Sequence, residues 1–341
     1  MALLKQLMET DYSRLVLGQC SKIVLSGDHV AVADEQGQVS VNRFTPGTDL
    51  IQTDHFNIDE SAELLDISPS GHYLIFSYSG GSRLIVWSLH QGRVLKEFIA
   101  SGRGEKRVAT SFVNVQGREM LLVSYRTMVL DLFELDSFTQ IFSVDYAKPL
   151  SFVILHITPV MGDGDTFYML GYLLSENKNS LYSFSLKKLL AGQGASDSHR
   201  MPGQNAVSDY AYSLAAGPCR QTEAVFYRDP EDDEEPEEDG EEPLGEVENF
   251  QGIYIRRLDD DGLEERLPYA VSVPTAAPMV ATSSAVTMVL PDKLNVLPRE
   301  GCSLSAESLK GKAFALDRNR ARVAVVDETG SSLAIYDIEG K

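Results

Sequence analysis

Residues 65–98 read LDISPSGHYLIFSYSGGSRLIVWSLHQGRVLKEF. Three short apolar runs, HYLIFSY, RLIVWSL and VLKEF, are separated by Ser-Pro-Ser-Gly at 68–71, Ser-Gly-Gly-Ser at 79–82 and His-Gln-Gly at 90–92. Proline presets one backbone angle and glycine permits the positive ones that tight turns require, so each cluster ends one strand and begins the next. Short strands with turns at this spacing describe an antiparallel meander rather than parallel strands joined by helices.

The same rhythm recurs along the chain. With the run ending near Trp87 as the ruler, equivalent slots fall at Phe44, Phe133, Phe184, Ile255, Val296 and Tyr336. Successive slots are 43, 46, 51, 71, 41 and 40 residues apart, and the single long interval contains an acidic stretch of about 20 residues. Recurrence at about 40 residues is the mark of a propeller of four-stranded blades, here counted as seven. Phe44, Trp87, Phe133, Phe184 and Tyr336 are the expected structural anchors of the repeat. Each slot is preceded by a second β run: HVAVAD, HYLIFSY, MLLVSY, FYMLGYLL, EAVFYR, PMVATSS and RVAVVD. Their near-continuous apolarity fits strands covered on both faces. Weaker first-strand runs open most units: KIVLS, AELLDIS, ATSFVNV, SFVILHI, SDYAYSL and KAFALD, with AVSVPT standing for unit six.

The expected fold is therefore an all-β, seven-bladed propeller formed by one domain over residues 1–341. The last unit holds three strands, and an open sheet edge invites edge-to-edge pairing. An N-terminal strand at residues 12–17 (YSRLVL) is expected to close the ring. Residues 1–11 are expected to form an extension, weakly helical over 2–9.

The unit at 65–98 resembles a WD40 repeat in its DISPSG turn, the run YLIFSYS, the glycine turn, LIVWSL with Trp87, and QGRVLKEF. RVAVVDETGSSLAIYDIEG carries the same pattern, with Tyr336 in the tryptophan slot. These two units cover about a fifth of the chain. No Gly-His pair precedes the first strands and only one tryptophan is present, so the resemblance is to a divergent, WD40-like propeller.

Composition narrows the class. Of 341 residues, 43% are hydrophobic and 23% charged, which is ample for a core, and no apolar run approaches the ~20 residues of a membrane helix. The N-terminus lacks a charged region followed by an apolar one, and Cys20, Cys219 and Cys302 are too few and too scattered for a disulfide framework. The expected setting is soluble, intracellular and cytoplasmic. Net charge is −20, but residues 229–248 alone hold thirteen acidic groups and no basic one, leaving −7 elsewhere. No basic face of the nucleic-acid-binding kind is visible.

That acidic run, DPEDDEEPEEDGEEPLGEVEN, carries three prolines and two glycines. It cannot bury enough apolar surface to fold alone, so residues 229–249 are expected to be a disordered insertion within unit five. It is either a solvated, solubilising loop or electrostatic bait for a basic partner through Asp232, Asp233, Glu234, Glu235, Glu237, Glu238 and Asp239. Calcium loops need alternating ligand spacing, which is absent. Two basic groups are candidates to meet acidic partners or the chain's own insertion: Arg103, Lys106 and Arg107 with Arg118 and Arg126 after them, and Arg318, Arg320 and Arg322.

No catalytic, cofactor or metal motif emerges. His29, His55, His72, His90, His156 and His199 show no metal-binding spacing, and only His156 lies in an expected channel-lining strand. There is no G-x-S-x-G elbow, and the glycines at 80–81, 102 and 104 lack the following helix of a phosphate cradle. Asp34, Asp66, Asp131, Asp317 and Asp327 fall near strand ends or turns, where aspartate caps its own backbone. The expected function is a non-enzymatic interaction scaffold or adaptor that binds other proteins through its rim and loops, as a monomer or within a hetero-complex, without cofactor, nucleic acid or membrane. The alternative is a propeller enzyme, a metal-assisted hydrolase or lactonase, with its site at the channel mouth.

Overall fold

The computed structural model describes residues 4–11, 18–48, 50–78, 81–99, 109–126, 128–146, 151–159, 165–175, 178–191, 199–200, 215–216, 222–228, 252–257, 264–266, 278–299, 306–317 and 320–338. The chain forms four-stranded antiparallel sheets, the blades of an all-β propeller. It begins with β1 (Leu4–Asp11). Blade one then follows as β2 (Cys20–Ser26), β3 (His29–Asp34), β4 (Gln38–Arg43) and β5 (Ile51–Asn57). Blade two is β6 (Glu63–Ile67), β7 (Tyr73–Tyr78), β8 (Arg83–Ser88) and β9 (Arg93–Ile99). Blade three is β10 (Ala109–Val115), β11 (Arg118–Arg126), β12 (Val129–Glu134) and β13 (Thr139–Asp145). Blade four is β14 (Phe152–Pro159), β15 (Thr166–Leu173) and β16 (Lys178–Ser185), the one-turn helix α1 (Leu186–Leu190), then β17 (His199–Arg200). Blade five is β18 (Ala215–Ala216), β19 (Thr222–Arg228), β20 (Gly252–Arg257) and β21 (Glu264–Arg266). Blade six is β22 (Met279–Ala281), β23 (Ala285–Val289), β24 (Lys293–Pro298) and β25 (Glu307–Lys310).

These six blades are consecutive meanders. The last unit supplies only β26 (Ala313–Asp317), β27 (Arg322–Val326) and β28 (Ser332–Ile338), and its fourth strand is β1, antiparallel to β28 from Leu4 opposite Ile338 to Asp11 opposite Ser332. Two expectations for the N-terminus are thereby corrected. Residues 4–11 are a strand, not a helical extension, and they take the position beside β28 that had been expected for 12–17, which lie outside the described residues. The four-residue spacing of Leu4 and Met8 suggests a helix, but a bulge between Gln6 and Met8 resets the alternation. Leu4 consequently packs toward blade six and Met8 toward blade one.

Unit six is also shifted. PMVATSS contributes its innermost strand, β22, and AVTMV at 285–289 is its second. The run AVSVPT lies outside the described residues, as does SDYAYSL of unit five, where β18 follows instead. β18 and β22 are short inner strands, of two and three residues, identified by their pairing and not by their sequence.

Blade-on-blade packing makes the core. Second strands are buried on both faces: Val30, Ala31, Val32 and Ala33 are each fully buried. Apolar clusters fill the interfaces of blade one with two, two with three, three with four, six with the last, and the last with blade one. The repeat anchors share these interfaces but not equally. Phe44, Phe133 and Phe184 are buried, whereas Trp87 and Tyr336 are half-buried. No described helix is long and apolar enough to cross a membrane.

Candidate functional site: the axial cavity and the two rims

Because the blades are meanders, successive hairpins alternate between the two ends of the ring. The turns joining first to second and third to fourth strands form one rim, called here the turn rim. The second-to-third hairpins and the crossovers between blades form the other, the crossover rim. The innermost strands enclose an axial cavity of about 420 Å³, with Ser26, Asp66, Ser111, His156, Thr158 and Asp317 among its walls. His156 therefore faces the channel, as its place in a first strand implies. Asp66, His156 and Asp317 come from three blades. Among the described residues no three His, Cys, Asp or Glu side chains gather closely enough to hold a metal ion.

Neighbouring blades are stitched together along the turn rim. The Gly27 amide donates to Asp317 at 2.7 Å, and Asp28 accepts from Arg320 at 2.5 Å and Arg322 at 3.0 Å. Arg322 also donates to Asp337 at 2.8 Å and lies 5.4 Å over the Phe44 ring. Burial opposes its charge, but Asp337 and Asp28 outweigh that and raise its pKa. Arg320 and Arg322 thus serve the junction of the last blade with blade one, while Arg318 lies outside the described residues.

From blade one to two, the His29 ring sits beneath Gly71, whose φ is +73°; a Cβ there would come within 2.4 Å of the imidazole. Burial lowers the His29 pKa from 6.5, against the raising influence of its bond to the Pro69 carbonyl. From blade two to three, Ser70 donates its amide (3.1 Å) and hydroxyl (2.6 Å) to Glu119, and the Tyr73 hydroxyl donates to Asp136 at 2.9 Å. Burial, then the Asp136 contact, raises the Tyr73 pKa.

Several aspartates expected at turns do cap them. Asp34 accepts the amides of Gly18, Gln36 and Gln38, and Asp327 accepts from Thr329, Ser331 and Ser332. Desolvation pushes Asp327 up, but those hydrogen bonds prevail and hold its pKa at about 2. Asp131 instead sits within β12 and accepts from Gln140. Lysines secure the crossover rim: Lys22 donates to the carbonyls of Glu60 and Ala62, and Lys312 to Gln19 and Glu35.

The acidic residues Asp232, Asp233, Glu234, Glu235, Glu237, Glu238 and Asp239 lie outside the described residues. Their flanks are described: β19 pairs with β20 in register, Arg228 opposite Gly252, so the run joins the second and third strands of blade five and leaves from the crossover rim. The crossover carrying Arg103, Lys106 and Arg107, also outside the described residues, departs from the same rim after Ile99, whereas Arg118 and Arg320 sit at turn-rim hairpins.

One feature escaped sequence reading: the outer parts of the interblade grooves differ. Between blades two and three, Phe98, Tyr125, Phe133 and Phe138 fill the space, with ring centroids 4.8–6.3 Å from Phe98. Between blades one and two, Phe56 stacks on Trp87 at 4.8 Å and 7°, but Ile51, Val94 and Ile99 remain exposed.

No family model and no curated protein matches this sequence. Solved structures do match its fold. A hydrazine synthase chain from Kuenenia stuttgartiensis is similar at 10% identity and a TM-score of 0.57, over 95% of this chain and 96% of that one. The WD40 domain of Neurospora crassa Pan2 is similar at 11% identity and a TM-score of 0.51 (99% and 96%). The β-propeller domain of Myceliophteria thermophila Cps50 (Swd1) is similar at 12% identity and a TM-score of 0.53 (98% and 99%). At such identities the likeness shows the fold alone: a WD40-type β-propeller.

Proposed function

We propose that this chain is a non-enzymatic protein-interaction scaffold: a ring of seven blades, closed by β1, that presents partner-binding surfaces on its rims and carries an acidic connection for a basic partner. The observation that carries the reading is the placement of the acidic run. Its two ends are fixed side by side by the β19–β20 pairing, so thirteen carboxylates are tethered to one rim of a rigid platform. Loops held on a rigid scaffold are where binding concentrates, and dense like charge steers an oppositely charged partner. Asp232, Asp233, Glu234, Glu235, Glu237, Glu238 and Asp239 form the proposed contact region. The likeness to a Pan2 WD40 domain and to the Cps50 (Swd1) propeller agrees with a scaffold by fold analogy.

The test compares the full chain with a variant lacking residues 230–248, using a lysine-rich peptide as the probe. The full chain should bind and lose affinity steeply as salt approaches ~0.15 M, where the Debye length is about 8 Å. The deletion should abolish binding and leave Tm unchanged. Equal binding by both, or indifference to salt, overturns the electrostatic reading. Ring closure is tested separately: removing residues 1–11 should bare the β28 edge and cause association or a marked loss of stability.

A further inference from the structure

The polar residues of the axial cavity concentrate at one end. First strands run from the crossover rim to the turn rim. Ser26 and Asp317 end β2 and β26, and Asp66 and Thr158 stand one residue before the ends of β6 and β14. His156 lies two residues back from Thr158. Leu64, Ala109 and Phe314, at or next to the starts of β6, β10 and β26, line the opposite end, where Thr110 and Ser111 are the polar exceptions. Four blades thus supply a polar end toward the turn rim, and the other end is mainly apolar.

Two of the polar groups are short of a partner. Ser26 is 6% exposed and Thr158 2%, both line the cavity, and neither hydroxyl makes a hydrogen bond among the described residues. A buried hydroxyl left unpaired costs free energy, and a molecule inside the cavity would relieve it. The unmet demand comes from neutral hydroxyls, so it is for hydrogen bonds and not for charge. The neighbouring carboxylates set the polarity of those bonds. Asp66 accepts the Ile67 amide at 2.8 Å, and Asp317 the amides of Gly27 at 2.7 Å and Arg320 at 3.2 Å. An ionised carboxylate only accepts, whereas a serine or threonine hydroxyl both donates and accepts. A ligand rich in O–H groups matches both kinds. No Lys or Arg is among the described lining residues, so an anion would meet two carboxylates and no lining cation. At about 420 Å³ the cavity stands near the small end of the roughly 300–1,000 Å³ range of ligand sites, which suits one small molecule rather than a polymer.

We propose that the turn-rim end of the axial cavity is a binding site for a small neutral polyhydroxylated molecule, of the monosaccharide or cyclitol class, bonded by Ser26 and Thr158 with Asp66, His156 and Asp317 around them. This goes beyond the scaffold reading and does not depend on it.

The probes are D-glucose, D-ribose and myo-inositol, each titrated into the full chain and followed by saturation-transfer NMR of the ligand protons. At least one should give a saturable signal. Ser26→Ala with Thr158→Val should weaken that probe at least tenfold with Tm unchanged or raised, since an unpaired buried hydroxyl stabilises nothing. Ser26→Ala alone should weaken it severalfold, and Thr158→Ser, which keeps the hydroxyl, should bind as the parent chain does. No saturable signal from any probe overturns the proposal and leaves the cavity to water. Undiminished binding by the folded double variant, or by Ser26→Ala if the double variant does not fold, also overturns it. Binding of n-butylammonium in place of all three probes overturns it by making the site one for a cation. The lysine-rich peptide should bind the parent and the variants alike, so failure of this site and failure of the scaffold reading are distinguished.

Discussion

Phe98 and Ile99 are neighbours on one strand and face two grooves of opposite character. Phe98 enters the groove toward blade three, where it meets Tyr125, Phe133 and Phe138 and is 5% exposed. Ile99 enters the groove toward blade one and is 64% exposed. Strand alternation alone cannot make this difference, because it offers both faces equally. The closed groove is filled by a turn. Phe138 adopts φ +47° in the hairpin between β12 and β13, which places its ring against Phe133 at 5.2 Å. A left-handed bulky residue costs about 1–2 kcal/mol, and the aromatic packing it makes possible offsets that cost. On the open side the matching hairpin between β8 and β9 has Gly92, at φ +59°, in the place of Phe138 and so supplies no ring, and the Phe56–Trp87 pair stays partly accessible. Packing for stability and leaving surface exposed are thus separated by one residue step.

The comparison can be broken at several points. Phe133→Ala, in the closed groove, should cost about 3–5 kcal/mol by chemical denaturation. A cost below ~1 kcal/mol would show that the aromatic cluster is dispensable. Gly71→Ala, at the turn-rim stitch above His29, should cost about 2–3 kcal/mol, because its positive φ and the imidazole both resist a Cβ. Trp87→Ala, in the open groove, should cost about 1–3 kcal/mol, less than the closed-groove change because the ring is half-buried. A loss as large as that of Phe133→Ala would erase the distinction.

The smallest effect concerns pH. His29 prefers the neutral form when folded, so its contribution is full above 6.5 and is lost as pH falls through 6.5 toward the lower folded value. Asp28, Arg43 and His72 act on it as well. The stability difference between the wild-type chain and His29→Asn should therefore shrink on acidification over that window. A pH-independent difference would remove His29 from the account.

The blade rhythm is legible in the sequence because each unit repeats the same turn chemistry around strands of the same length. Phe44, Phe133 and Phe184 mark it as buried anchors. What escapes reading depends on register. The bulge at Gln6/Met8 makes a helix-like spacing into a strand, and PMVATSS, which reads as a second strand, is the innermost strand β22, with β23 following it. The two faces of β9 are equally hidden: only its pairing with β8 assigns Val94 and Ile99 to the side of blade one and Phe98 to the side of blade three. The cationic cluster at 318–322 illustrates the same limit. Its composition suggests a binding patch, yet Asp28 and Asp337 engage Arg320 and Arg322 in joining blades.

The most direct measurement sets Phe98→Ala beside Ile99→Ala in urea denaturation under identical conditions. Phe98→Ala should lose about 3–5 kcal/mol and Ile99→Ala should stay within about 0.5 kcal/mol of the parent. Similar losses for the two would contradict the assignment of one filled and one open groove to the two faces of β9.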